Sequence, residues 1–216
     1  MWKKIAVRSQ GRIRHLRLAG TCALLLCVSG CALEHQDTRL AADTAIETVP
    51  VDLSRYMGRW YVIANIAYLN ERNYVGSYEE WTLLPDGKID DAYFGRLFDF
   101  NHPEAGSDLV ATVIRGTQNA KWRIRIFWPM DVDVVTVYVD TDYQYTVRCL
   151  ADRSLVWVLS RSPDISDAAY TSLLSRLRTM GFDTSRIKRV AQHPGQLGKP
   201  GFHVPETHDV PVVPAQ

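Results

Sequence analysis

Between about residues 51 and 160 the chain carries short apolar and β-branched runs, some alternating with polar positions at a period of two, the pattern of strands that bury one face. The segment Trp122-Arg123-Ile124-Arg125-Ile126 is the clearest case, apolar on one side and charged on the other. Tyr61 to Ala67, Tyr78 to Leu84, Lys88 to Gly95, Leu109 to Arg115, Val134 to Val139, Tyr145 to Leu150 and Leu155 to Ser160 form further runs, most of them rich in β-branched and aromatic residues. Pro85-Asp86-Gly87 marks a hairpin turn between two of them. Eight short strands with short links predict an all-β fold, an eight-stranded antiparallel up-and-down barrel. Such a barrel closes every edge and leaves an interior wide enough for one small ligand.

The period changes once. From Ile165, apolar residues recur at Ala169, Leu173, Leu177 and Met180, with Tyr170 and Leu174 alongside. This is close to 3.6 and predicts a helix over about 165–180, its apolar stripe laid on the outside of the barrel. Ser166 is placed to cap its start, Asp167 suits its first turn and Gly181 suits the position after its end.

Both ends of the chain differ from this middle. Lys3, Lys4, Arg8, Arg12, Arg14 and Arg17 precede an apolar run, Leu18 to Val28, of about a dozen residues. A helical span needs ~20, so the run is too short to cross a bilayer and reads as a secretory signal over residues 1–30. The exit Val28-Ser29-Gly30-Cys31 resembles the lipobox of bacterial lipoproteins, in which the cysteine is lipidated; an ordinary signal peptide that happens to contain a cysteine is the other reading. The resemblance implies a membrane anchor at Cys31. Because Ala32 is not an aspartate, it also implies the outer membrane. Residues 31–50 read as a tether, and residues 196–216, with Gly198, Pro200, Gly201, Pro205, Pro211 and Pro214, as a disordered tail. The barrel and its helix occupy 51–195.

Charge follows from this division. The signal holds six of the 25 Lys and Arg and none of the 24 Asp and Glu, so the remainder carries a formal charge of about −5. An acidic balance argues against a nucleic-acid partner. Cys149 is then the only thiol in the folded part, and no disulfide framework supports it.

Three motifs carry a resemblance. Gly58-Arg59-Trp60 opens the first strand, Thr141-Asp142-Tyr143 lies between two late strands, and Arg161 follows the last strand before Ser162-Pro163. In this order, and followed by the helix, they resemble the signature of the lipocalin family. Residues 55–64 and 155–163 are similar to bacterial outer-membrane lipoprotein lipocalins and to apolipoprotein D. The resemblance covers roughly residues 50 to 195. It implies that Gly58, Trp60, Thr141, Asp142, Tyr143 and Arg161 are structural, with Arg161 packed over the Trp60 indole at a closed end. Asp142 is expected to cap backbone N–H groups in its turn.

If Trp60 points inward, strand parity places Val62 and Ala64 inward as well. Trp122, Ile124 and Ile126 form the inward set of their strand, and Trp81, Tyr138 and Trp157 are further lining candidates. An aromatic and aliphatic lining suits an acyl chain, so the expected partner is a fatty acid or lysophospholipid, stored or carried at the membrane. Glu79-Glu80 and Asp90-Asp91 place one acid of each pair inward unless a bulge intervenes or the pairs lie near the open mouth, and an inward acid disfavours an anionic head nearby. Phe98 and Phe100 mark a possible lip of the barrel. No cofactor or metal is expected: His35, His102, His193, His203 and His208 lack metal-ligand spacing. An enzyme would have to use Cys149, and a buried, inert cysteine is the plainer expectation. A barrel filled by its own side chains is the third reading.

Overall fold

The computed structural model describes residues 46–68, 71–127 and 129–206. The signal, Cys31 and most of the tether lie outside the described residues. A one-turn helix α1 (Leu53–Tyr56) leads into β1 (Gly58–Ile66), followed by β2 (Tyr74–Leu83), β3 (Ile89–Leu97), β4 (Glu104–Val113) and β5 (Lys121–Phe127). Then come β6 (Met130–Val139), β7 (Tyr145–Leu150), β8 (Val156–Ser160), helix α2 (Asp167–Thr179) and the two-residue β9 (Lys188–Arg189). Strands β1 to β8 pair antiparallel with their sequence neighbours, and β1 pairs with both β2 and β8 to close the barrel. The expected eight-stranded barrel with a helix after its last strand is therefore the observed architecture.

Local sequence explains the elements. Arg123 and Arg125 project outward from β5 and pair with Asp133 and Asp131 of β6, the Arg123 Nε–Asp133 contact being 2.8 Å. Trp122 and Ile124 of the same strand are buried inside. The turn 84–88 is closed by a bond of 2.8 Å from the Leu84 N–H to the Lys88 carbonyl. Ser166 Oγ accepts from the Ala169 N–H at 3.1 Å to cap α2. At the other end Gly181 has φ +84°, a left-handed conformation that a side chain would strain.

The barrel closes imperfectly along one seam. β1 bonds to β2 only over Gly58–Tyr61, after which the two strands part. The segment 188–192 fills the gap. β9 pairs with Ala64 and Asn65, and the Gly76 N–H donates to the Ala191 carbonyl at 2.7 Å. Gln192 Nε2 donates to the Val62 carbonyl at 2.8 Å and to the Ser77 carbonyl at 3.0 Å. One amide thus satisfies a carbonyl on each of two strands that no longer satisfy each other. Past Gln196 the chain keeps defined bonds. His203 N–H donates to the Arg189 carbonyl at 2.8 Å, and Glu206 N–H donates to Asn73 Oδ1 at 3.0 Å. The composition-based expectation of disorder thus covers residues that are bonded here as far as Glu206, while 207–216 lie outside the described residues.

Among the described residues two apolar clusters form. The first fills the barrel around Tyr56, Trp60, Val62, Trp81, Trp122 and Leu159. The second lies between barrel and helix, where Leu173 and Leu177 of α2 join Val135, Val137, Val147, Cys149, Val156 and Val158. On β6, β7 and β8 the outer face is therefore apolar because α2 covers it.

Candidate functional site

The interior is built in layers from a plugged end. α1 lies across that end, held by Asp52 N–H donating to Tyr143 Oη at 2.9 Å and Arg55 donating to the Thr141 carbonyl at 2.8 Å. Trp60 is fully buried and donates from Nε1 to the Tyr56 carbonyl at 2.8 Å. The Arg161 guanidinium stacks 3.8 Å above its ring and donates to the carbonyls of Arg59, Arg55 and Met57 at 2.7, 2.8 and 2.8 Å. A planar fork on an indole can do this; a lysine ammonium cannot reach three carbonyls in those directions. Gly58 has φ +91°, and a Cβ there would stand 3.5 Å from Arg161 Nη1. Gly58, Trp60, Thr141, Tyr143 and Arg161 thus meet at one end of the barrel. One detail is corrected: the carboxylate that caps the 140–145 turn belongs to Asp140, which accepts from the Gln144 and Tyr145 N–H groups, and not to Asp142.

Above the plug sits an aromatic layer. Tyr56 lies 4.9 Å from Trp81 and 5.8 Å from Trp122, and the two indoles meet edge to face at 5.2 Å. The Tyr56 hydroxyl bonds to Thr146 Oγ1 at 2.8 Å.

The next layer is charged. Arg148, only 2% exposed, lies 4.7 Å from the Trp81 ring and 4.1 Å from the Trp122 ring. Glu79 Oε2 stands 3.6 Å from its Nη1, and Asp91 accepts from Trp81 Nε1 at 2.7 Å. Burial pushes both carboxyls upward; Asp91 adds repulsion at Glu79, and Arg148 opposes the rise at both. Nearer the far end, Glu71 reaches in from the β1–β2 connection and accepts from Trp157 Nε1 at 2.8 Å. Burial pushes its carboxyl up to about 7.

At the end opposite the plug the described strand ends are exposed. The first half of β4, Glu104–Asp108, is exposed on both faces. Ile126 is 37% exposed at the same end of β5.

Of the expected lining residues, Val62, Trp81, Trp122, Ile124 and Trp157 belong to the interior cluster, and Ile126 stands at the rim. Two are corrected. Ala64 faces the α2 side, because a register shift between Val62 and Ala64 reverses parity in β1. Tyr138 also lies outside, under the guanidinium of Arg176 of α2 at 4.5 Å, after a register shift between Thr136 and Tyr138. The inward acids are Glu79 and Asp91, in regular register with Trp81; Asp91 is buried and the Glu79 side chain nearly so.

Arg148 and Glu71 were not legible as site residues. Arg148 alternates with Val147 and Cys149, whose apolar face looks like a core face and is one, but it meets the helix. Phe100 does lie at the end opposite the plug, against Gly76.

Comparison with known proteins agrees with this architecture. The lipocalin-like domain family matches residues 51–192. The outer membrane lipoprotein Blc of Escherichia coli K12 is 29% identical over 148 residues, covering 67% of this chain and 80% of that protein. Temperature-induced lipocalin-1 of Arabidopsis thaliana is 28% identical over 153 residues, covering 66% and 80%. Among solved structures, insecticyanin from the tobacco hornworm Manduca sexta superposes with a TM-score of 0.52 at 15% identity, covering 69% of this chain and 85% of that one. The cockroach allergen Per a 4 gives 0.52 at 18%, covering 69% and 94%. At such identities the likeness concerns the fold alone. With plug, barrel and helix in place and the family match spanning the whole barrel, this chain belongs to the lipocalin-like family.

Proposed function

We propose that this protein is a lipid-anchored lipocalin of the bacterial outer membrane that stores or carries one small amphipathic lipid. The observation that carries the reading is a closed barrel plugged at one end by Trp60 and Arg161, with aromatic side chains above the plug and exposed strand ends opposite it. The aromatic walls suit an acyl chain, and fatty acids and lysophospholipids are the first classes to test against it. Anchoring would act through Cys31; among the described residues no helix is long and apolar enough to cross a membrane. Kinship with outer membrane lipoproteins supports the location, and a role in envelope maintenance under stress is part of the same proposal.

The test is a titration of intrinsic fluorescence in residues 32–216, delipidated, with palmitate, a lysophospholipid, retinol and haem. Trp81, Trp122 and Trp157 all face the interior, so a ligand in the bore is expected to change emission saturably at one per chain. A folded protein that responds to none of them would instead be a barrel filled by its own side chains. The plug-side layers, packed with Tyr56, Trp60, Trp81 and Trp122, give that second reading its specific support.

The thiol chemistry an enzyme would need is disfavoured. Cys149 is fully buried on the α2 side, and burial pushes its thiol up to about 12, so it stays protonated at neutral pH. Folded protein is expected to resist alkylation by iodoacetamide for hours and to react within minutes in denaturant. Rapid modification of the native state would reopen the enzymatic reading.

A further inference from the structure

Three carboxyl groups and one guanidinium face each other inside this barrel. Glu79 stands 3.6 Å from Arg148, and Asp91 lies within electrostatic reach of the same guanidinium. Acids from β2 and β3 therefore outnumber Arg148, although its Nε and Nη2 are themselves buried without acceptors among the described residues. Glu71 is left over, closer to the end opposite the plug and 2% exposed, with only Oε1 engaged. Its Oε2 is buried without a hydrogen-bond partner among the described residues, and so is Oε2 of Glu79. Two buried acceptor atoms with nothing to accept from are costly unless a ligand supplies the donor.

The walls around them are aromatic. Trp157 donates to Glu71, and Tyr93, whose hydroxyl donates to Ser77 Oγ at 2.9 Å, is close enough to feel both Glu71 and Glu79. Carboxylates among π-faces are the chemistry that receives an ammonium group. A carboxylate head would meet three acids and one guanidinium, whereas an ammonium favours the ionised forms of Glu71 and Glu79 against the burial that raises both. Resting on the reading that the barrel holds a small amphipathic ligand, we propose that it selects single-chain amphiphiles whose polar end is a protonated amine, seated against Glu71 and Glu79.

The test compares three probes of equal chain length, each below its micelle concentration: dodecylamine, dodecanoate and dodecanol. Each is titrated against the delipidated protein by tryptophan fluorescence at neutral pH. Dodecylamine is expected to bind at one per chain and about tenfold or more tightly than dodecanoate, a difference of ~1.4 kcal/mol. Glu71→Gln and Glu79→Gln should each weaken dodecylamine about tenfold, as removal of a desolvated charge partner does, and leave dodecanol within about twofold. Dodecanol binding also reports that each variant is folded. Dodecanoate binding as tightly as dodecylamine, or amine affinity indifferent to both substitutions, would overturn the inference and leave the lipid-carrier reading standing. If none of the three binds the folded protein, that reading fails and takes the inference with it.

Discussion

Arg161→Ala is expected to lower the free energy of unfolding by about 2–3 kcal/mol, the scale of losing charge-assisted hydrogen bonds at a half-buried site. Three short bonds to backbone carbonyls and the stack on Trp60 disappear together. Those carbonyls belong to α1 and the start of β1, so their loss also frees the segment that covers the barrel end. Arg161→Lys keeps the charge but not the fork, and should recover less than about half of the loss, since a single ammonium satisfies fewer carbonyls and stacks less well. Urea unfolding followed by tryptophan emission gives the comparison. A cost below about 1 kcal/mol for the alanine variant, an ordinary surface value, would mean that the plug holds without its arginine.

Stability should also fall as the pH rises from 5 to 8, the reverse of the usual behaviour of a protein held by ionised carboxylates. In the unfolded chain Glu71 loses its proton near the ordinary carboxylate value. In the folded chain burial holds it up to about 7. Between these values the folded state binds more protons than the unfolded one, so raising the pH favours unfolding. The stabilising difference is fully present below the unfolded value and lost as pH climbs through the folded one. For Glu71 alone this is of order 3 kcal/mol by pH 8, and Glu79 and Asp91 act in the same direction. Glu71→Gln keeps an oxygen to accept from Trp157 and removes the ionisation. It should match the native chain at pH 5 and exceed it by about 2–3 kcal/mol at pH 8. Urea midpoints at pH 5, 6, 7 and 8 test this directly. A flat or rising profile for the native chain would show that Glu71 is hydrated in solution.

The two expectations describe the two ends of one barrel. At the plug, a half-buried charge is bonded to backbone carbonyls and contributes to stability. In the bore, buried carboxyls are left partly unsatisfied, and stability is lower than an apolar filling would give. Such a pattern is common where a site is kept for binding, because groups placed for a ligand are poorly placed for the fold.

Strand number, the hairpin at 84–88 and the helix with its Ser166 cap were determined by the sequence itself. Each depends on local periodicity or turn chemistry, and such signals survive without knowledge of what packs where; the Trp60–Arg161 stack was expected only through the family resemblance its motifs carry. The interior was legible only where strands are regular, as at Trp81, Trp122 and Ile124. A register shift of one residue moved Ala64 and Tyr138 to the other face, and nothing in their sequence announces it. Helix α2 made the outer face of β6 to β8 as apolar as an inner one, so alternation could not tell which face of β7 points inward. Only the tertiary structure decided that Arg148 points into the barrel, that Glu71 reaches in from a loop, and that Gln192 closes the seam from far along the chain. Those placements depend on contacts between residues distant in sequence, and side-chain type alone does not encode them.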